Sequence, residues 1–222
     1  MDEAFIAFAA LFLRPPCAAF LHALRPPPSA LRPLPSAITM SKNLVFIGDS
    51  LTEYFDWQKR FPSHKVTNLG ISGEPVEGLL NRLDRVRSRI NDPDIIFVMT
   101  GINNIAMEQY DISGDYKEIA SKLTSWFKNS KIVIQSVLPV RLEWIDNNVI
   151  KDINRHLKKI AGEFSAEYLD VYGLFIDPQG NPRRENLLDD GVHLSDKGYH
   201  VWADEVERLL KKHKKHLDTD KS

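Results

Sequence analysis

The stretch that decides the fold is FIGDSLTE, residues 46–53, in which an apolar run ends in a tight Gly-Asp turn followed by a serine. Proteins with α/β folds place reactive groups where a strand gives way to such a turn, which favours Ser50 as a nucleophile. Ser50 and Glu53 also match a capping box, in which the serine only satisfies free backbone N–H groups at a helix start. Residues 46–53 alone leave both interpretations open.

Working outward from this stretch, short β-rich runs alternate with stretches of helical period, the pattern of a parallel sheet covered by helices on both faces. The predicted strands are residues 43–47, 65–69, 95–100, 132–138 and 168–172. Apolar residues at helical spacing predict helices over 76–90, 116–127 and 149–164, and a closing helix containing residues 199–210. The predicted fold class is therefore α/β, a three-layer sandwich around a five-stranded parallel sheet.

Length and composition limit the number of domains and the kinds of ligand that we expect. The 222 residues with 43% hydrophobic content are enough to form one hydrophobic core. The net charge of −1 gives no overall electrostatic attraction to nucleic acid or to an anionic membrane. We therefore expect a small-molecule ligand and no nucleic acid. The single cysteine, Cys17, cannot form an internal disulfide, which favours a reduced, cytoplasmic location. The sequence does not indicate an oligomeric state.

The first forty residues differ from the rest because they are rich in proline and contain no glycine or lysine. Their apolar run, residues 4–13, is well short of the ~20 residues that span a bilayer, so we expect no stable membrane insertion. The predicted domains are a Pro-rich, disordered extension over 1–40, a folded domain over 41–216 and a polar tail over 217–222. Met40 directly precedes the first strand and is an alternative start of translation.

A serine nucleophile needs a base, and the best candidate is a histidine held by a carboxylate. In DGVH, residues 190–193, Asp190 precedes His193 by three residues, close enough to pair with its Nδ1 and leave Nε2 for a serine. Asp189 is an alternative partner. Ser195 is predicted to cap the last helix, and the remaining histidines, His213 among them, are interpreted as surface residues.

The third requirement is a set of donors for a developing oxyanion. Two loops follow predicted strands at the same edge of the sheet as Ser50. One contains NLGISG, residues 68–73, in which a glycine N–H can approach a ligand closely. The other is TGINN, residues 100–104, in which an asparagine just beyond a buried strand can direct its amide into a pocket.

Together the four blocks resemble the SGNH, or GDSL-type, hydrolase family, in the family's order along the chain. FIGDSLTE resembles its nucleophile block, NLGISGE its glycine block, TGINN its Gly-x-Asn-Asp block and DGVHLSDKGY its Asp-x-x-His block. The resemblance implies flavodoxin-like strand order, Ser50 as nucleophile, His193 as base and Asp190 as its orienting partner. It further implies an oxyanion hole formed by the Ser50 and Gly73 N–H groups and the Asn103 amide, with no metal or cofactor.

One position departs from the family pattern, because Asn104 stands where the family usually has Asp. The platelet-activating-factor acetylhydrolase branch of the family is similar to this chain in having Asn at this position. The resemblance implies hydrolysis of small acyl esters through an acyl-enzyme. Alternatives within the family are a carbohydrate O-acetyl esterase and a lysophospholipase or thioesterase, and the alternative outside it is a non-catalytic binding module. Arg141 and Trp144, after the fourth strand, are candidate substrate contacts.

Overall fold

A computed structural model describes residues 41–219 of the chain, and their side chains as far as residue 213. The predicted extension over residues 1–40 and the last three residues of the predicted tail lie outside the described residues. Within the described part, no helix is both long enough and apolar enough to cross a bilayer.

Five parallel strands form one sheet in the order β2-β1-β3-β4-β5. Gly48 at the end of β1 lies opposite Gly70 of β2 and Met99 of β3, so the carboxyl ends of these three strands are level. Loops that follow them therefore meet at one edge of the sheet. The strands are β1 Asn43–Gly48, β2 Lys65–Gly70, β3 Ile95–Met99, β4 Lys131–Gln135 and β5 Glu167–Leu169.

Helices cover both faces of this sheet, as the sequence predicts. The described helices are α1 Ser50–Glu53, α2 Trp57–Arg60, α3 Val76–Asn81, α4 Leu83–Arg89, α5 Ile102–Ala106, α6 Ser113–Trp126, α7 Asn147–Glu163 and α8 Asp196–Thr219, with 3-10 turns at Tyr172–Phe175 and Arg184–Asn186. In one layer α3 contacts α6 and α6 contacts α7, while α2 and α8 pack together in the other.

Stacked aromatic rings join the sheet to α2 and α8. The Phe46 ring lies 4.0 Å from that of Trp57 and 4.8 Å from that of Phe97, and Trp57 meets Trp202 edge to face at 4.8 Å. Burying each large side chain stabilises the fold by about 2–3 kcal/mol. The strand that leads to Ser50 is therefore attached through Phe46 to the neighbouring strand β3 and to α2.

Three predicted elements end differently in the structure. The helix predicted over 76–90 is broken at Arg82, between α3 and α4. β4 ends at Gln135 because the backbone N–H and C=O of Val137 pair with the Asn154 side chain, at 2.8 Å each, instead of with a strand. β5 ends at Leu169 because the next N–H groups turn to the Ser136 hydroxyl.

The interpretation of His213 as a surface residue is wrong. His213 is buried near the end of α8, where its Nε2 lies 2.6 Å from Glu167 Oε2 at the start of β5. The predicted cap of the same helix is confirmed, since the Gly198 N–H donates to the Ser195 hydroxyl at 3.1 Å. The helix itself continues to Thr219.

Candidate active site

Ser50 is the first residue of α1, directly beyond the end of β1. The capping-box interpretation is wrong, because the cap is Asp49, whose Oδ1 accepts from the Leu51 N–H at 3.0 Å. Glu53 instead accepts from the Ser72 N–H at 2.7 Å. The Ser50 hydroxyl therefore has no capping role and is available for another contact.

A glycine at the end of β1 makes this tight turn possible. A side chain on Gly48 would collide with the Met99 carbonyl oxygen and the Thr52 hydroxyl, so a larger residue would push α1 away from the sheet. The glycine of the GDS motif thus places Ser50 against the carboxyl end of the sheet.

The loop before α8 folds Asp190 onto His193. Asp190 Oδ1 accepts from the N–H groups of Val192 and His193, at 2.9 and 2.8 Å, and Oδ2 lies 2.9 Å from His193 Nδ1. Gly191 has φ +74°, a conformation that favours glycine, and its carbonyl accepts from the Arg141 N–H at 2.8 Å. The structure thus brings Asp190, rather than Asp189, onto the His193 ring.

The Ser50 hydroxyl oxygen lies 3.1 Å from His193 Nε2, although the two residues are 143 positions apart. Both are buried, with 1% and 5% of their surface exposed. Burial acts to raise the pKa of Asp190, but its hydrogen bonds from His193 and the two backbone N–H groups outweigh burial and hold that pKa at about 2. Asp190 is therefore ionised at neutral pH, which places the proton on Nδ1 and leaves Nε2 to accept from the serine.

Asp49, the residue before Ser50, differs from Asp190 in the direction in which its pKa is shifted. Its Oδ2 is buried and has no hydrogen-bond partner among the described residues. Burial raises the pKa of Asp49 to about 7, against the opposing effects of the Leu51 N–H and His193. Part of the Asp49 population is consequently protonated at neutral pH.

The two predicted oxyanion loops follow β2 and β3, whose ends are level with that of β1. Gly73 has φ +73°, and the buried Asn103 lies in α5. Asn103 Nδ2 donates to the Glu74 carbonyl at 3.0 Å, which joins the two loops. Gly73 and Asn103 thus lie in connected segments at the carboxyl edge of the sheet that also carries Ser50.

The family model of the GDSL-like lipase/acylhydrolase family matches residues 46–201. The chain belongs to this family. As a GDSL-like acylhydrolase, it is a hydrolase that acts on ester bonds.

Similar proteins support this assignment. The chain is 27% identical over 165 residues to the platelet-activating factor acetylhydrolase IB subunit alpha1 of Rattus norvegicus, covering 70% of this chain and 69% of that protein. A solved structure from Streptococcus pneumonia, provisionally assigned as a platelet activating factor, has a TM-score of 0.69 and 26% identity, covering 78% of this chain and 86% of that one.

The fold is also similar to that of an acetylxylan esterase from Geobacillus stearothermophilus, with a TM-score of 0.62 and 21% identity, covering 76% of this chain and 94% of that one. Three solved structures of that esterase are of catalytic mutants, in which a serine, an aspartate or a histidine is replaced by alanine.

In this GDSL-like chain, the structure explains the unusual Asn104. Its Oδ1 accepts from the Val76 N–H at 2.9 Å, and its Nδ2 donates to Glu77 Oε2 at 2.8 Å. An aspartate could accept the first bond but could not donate the second, and it would set two carboxylates against each other. Asn104 therefore attaches α5 to the start of α3.

The candidate substrate contacts lie in the loop after β4. The backbone of Arg141 contacts the loop of His193 through Gly191, and the Trp144 side chain is among the exposed large hydrophobic residues. A third neighbour, Tyr54, was not predicted, although its ring centroid lies 5.5 Å from that of His193 and its hydroxyl 2.8 Å from Ser72 Oγ. Its position directly after the nucleophile block was the only sequence signal.

The charged side chains around the oxyanion loops, Glu74 and Arg82, were also not predicted as parts of the site. Within residues 41–213, no three His, Cys, Asp or Glu side chains are grouped in a way that could hold a metal ion.

Proposed function

We propose that the chain hydrolyses small acyl esters, with Ser50 as nucleophile, His193 as general base and Asp190 as the residue that orients the imidazole. The observation that carries the proposal is the 3.1 Å contact between Ser50 Oγ and His193 Nε2, with Asp190 on the opposite ring nitrogen. The same three residue types are replaced in the catalytic mutants of the acetylxylan esterase of similar fold.

In the first half of the reaction, Ser50 Oγ attacks the ester carbonyl as its proton passes to His193 Nε2. The tetrahedral oxyanion accepts hydrogen bonds from the N–H groups of Ser50 and Gly73 and from Asn103 Nδ2. Each such donor contributes about 3 kcal/mol of transition-state stabilisation. His193 then returns the proton to the leaving alcohol, and an acyl-Ser50 ester remains.

In the second half, His193 takes a proton from water, which attacks the acyl carbonyl. The tetrahedral intermediate collapses, the proton returns to Ser50 Oγ and the carboxylic acid leaves. Asp190 stays ionised throughout, in keeping with its low pKa, and stabilises the imidazolium that forms in each half.

The test compares two serines at helix starts, Ser50 in α1 and Ser195 before α8. Ser50→Ala should abolish p-nitrophenyl acetate hydrolysis and leave the thermal midpoint nearly unchanged, because Asp49 rather than Ser50 caps α1. Ser195→Ala removes a true cap worth about 1 kcal/mol and should lower the midpoint while most activity remains. Mass spectrometry should also show one fluorophosphonate adduct on Ser50, formed with loss of fluoride.

A wild-type chain that is inactive across acyl lengths and unlabelled by the probe would overturn the proposal in favour of a binding module. A second candidate within the enzyme class, a carbohydrate O-acetyl esterase, is favoured by the exposed Trp144 ring, three residues after Arg141, whose backbone contacts the loop of His193. Rates on acetylated xylo-oligosaccharides and on p-nitrophenyl acetate separate the two substrate classes.

A further inference from the structure

Glu74 touches both segments that supply the loop donors of the oxyanion hole. It directly follows Gly73 in the chain, and its carbonyl oxygen accepts from Asn103 Nδ2 at 3.0 Å. A shift of the Glu74 backbone therefore moves the Gly73 peptide and removes the hydrogen-bond partner of the Asn103 amide together.

The Glu74 side chain is held by Arg82. Arg82 Nε and Nη2 each lie 2.6 Å from one oxygen of the Glu74 carboxylate, a two-point contact that fixes the orientation of both groups. The pair is largely buried, with 14% of the Arg82 side chain and 10% of the Glu74 side chain exposed. At this burial, removing one charge leaves the other desolvated and unpaired, which is strongly unfavourable.

Arg82 also attaches to the strand from which the loop leaves. Its Nη2 donates to the Leu69 carbonyl at 2.9 Å, next to the end of β2. One guanidinium thus joins the beginning of the loop at Leu69 to its far side at Glu74. Arg82 can make both contacts from the break between α3 and α4, which the uninterrupted apolar period did not predict.

The rest of the loop is held from the nucleophile side. The Ser72 N–H donates to Glu53 Oε2 at 2.7 Å, and Ser72 Oγ lies 2.8 Å from the Tyr54 hydroxyl. A Cβ at Gly73 would meet no described atom within 4 Å, so the space beside this residue is open. The position of its N–H therefore depends on Ser72 on one side and on Glu74 on the other.

We propose that Arg82 is a positioning residue that acts through Glu74 to hold the Gly73 N–H and the Asn103 amide where the oxyanion forms. The inference rests on the proposed function, since it concerns the same transition state. Oxyanion donors work at 2.7–3.1 Å from the oxyanion, so a small displacement removes much of their effect on the rate. Arg82 touches neither the substrate nor the reacting atoms.

The test uses Arg82→Met with Arg60→Met as its matched control. Arg60 also makes two charged contacts, but to two different carboxylates, Asp204 at 2.7 Å and Glu207 at 2.8 Å, which join α2 to α8. For Arg82→Met we expect a loss of kcat of about 30-fold, with KM changed less than about threefold. Arg60→Met should lower the thermal midpoint and leave kcat unchanged.

A second readout separates positioning from general destabilisation. Trifluoroacetone adds to a serine nucleophile to form a tetrahedral adduct whose oxyanion occupies the same hole. Its inhibition constant should rise in Arg82→Met by about the factor by which kcat falls, because both report the same donors. Arg82→Lys and Glu74→Gln keep part of the contact, so they should lower kcat and raise the inhibition constant by smaller factors. They also serve as the test variants if Arg82→Met does not fold.

Equal kcat in Arg82→Met and Arg60→Met would overturn the positioning role while leaving the proposed function intact. Loss of kcat in every Arg82 and Glu74 variant with unchanged inhibition by trifluoroacetone would overturn it as well. If the wild-type chain shows no turnover and Ser50 is not labelled, the proposed function fails, and the positioning role fails with it.

Discussion

Two buried histidine–carboxylate pairs lie at opposite edges of the same sheet. His193 contacts Asp190 at 2.9 Å at the carboxyl edge, and His213 contacts Glu167 at 2.6 Å at the amino edge, where β5 begins. Judged by distance and burial alone, the two pairs are alike.

Their surroundings differ. The second nitrogen of His193 faces the Ser50 hydroxyl, and the Asp190 carboxylate is fixed by backbone N–H groups. Glu167 is instead shared between His213 and the exposed Lys212, at 3.5 Å, and burial lowers the pKa of His213 despite the opposing effect of Glu167. A histidine–carboxylate pair is therefore a structural element by itself, and it becomes a candidate for catalysis only beside a nucleophile and oxyanion donors.

The largest expected effect comes from replacing each histidine in turn. His193→Gln should lower kcat by at least about 10³-fold, because it removes the proposed general base. His213→Gln should leave kcat within about twofold and lower the free energy of unfolding by about 1–3 kcal/mol, because it weakens a buried hydrogen bond to Glu167. Steady-state kinetics measures kcat, and urea unfolding measures the free energy of unfolding. Comparable losses of kcat in the two variants would refute the distinction between the two histidine–carboxylate pairs.

An intermediate effect is expected from a change that touches neither histidine. Asn104→Asp sets a carboxylate against Glu77 next to the start of α3, and should lower stability by about 1–2 kcal/mol and kcat by up to about tenfold. Adding Glu77→Gln restores a donor to this contact, so the double variant should recover most of both losses. An Asn104→Asp chain as stable and active as wild type would show that Glu77 does not determine the residue at this position.

The third change is expected in stability rather than in kcat and concerns Asp49, whose Oδ2 has no hydrogen-bond partner among the described residues. Burial raises the pKa of Asp49 to about 7, above its value of 3.8 in a model compound, so Asp49 stabilises the fold fully below pH 3.8 and progressively less as the pH rises through about 7. The substitution Asp49→Asn keeps the capping oxygen but removes the titrating group. The wild type should therefore lose stability relative to this variant between about pH 4 and about pH 7, by at most about 4 kcal/mol.

Urea unfolding of both chains across this range gives the difference directly, because groups common to both cancel. Parallel stability curves would show that the Asp49 carboxyl titrates at its ordinary pKa in the folded protein.

Much of the fold and of the candidate site was predictable from local patterns. Apolar period located all five strands. The short spacing between Asp190 and His193 made their pairing possible but did not exclude Asp189, and only the family resemblance favoured Asp190. The cap of α1 was not predictable, since Asp49 and Ser50 are both good capping residues and adjacent. Their roles are decided by the contact with His193, which comes from a distant part of the chain.

The other differences between the sequence-based predictions and the structure also arise from long-range contacts. Arg82 lies in an unbroken helical period, and only its bonds to Glu74 and Leu69 show why the helix is interrupted there. His213 lies in a run of lysines that is typical of a solvated helix end, yet the helix turns this one side chain toward β5. The composition of a segment predicts its average exposure, whereas the burial of one residue depends on whether its side chain faces the sheet.

The 143 positions that separate Ser50 from His193 have a consequence for synthesis of the protein on the ribosome. The proposed nucleophile emerges just after the first strand of the sheet, but the proposed base emerges only with the last loop before α8. Incomplete chains that lack this loop carry a serine without its base. Ester hydrolysis can therefore serve as a readout of nascent-chain folding, because on the proposed mechanism it begins only after nearly the whole domain has assembled.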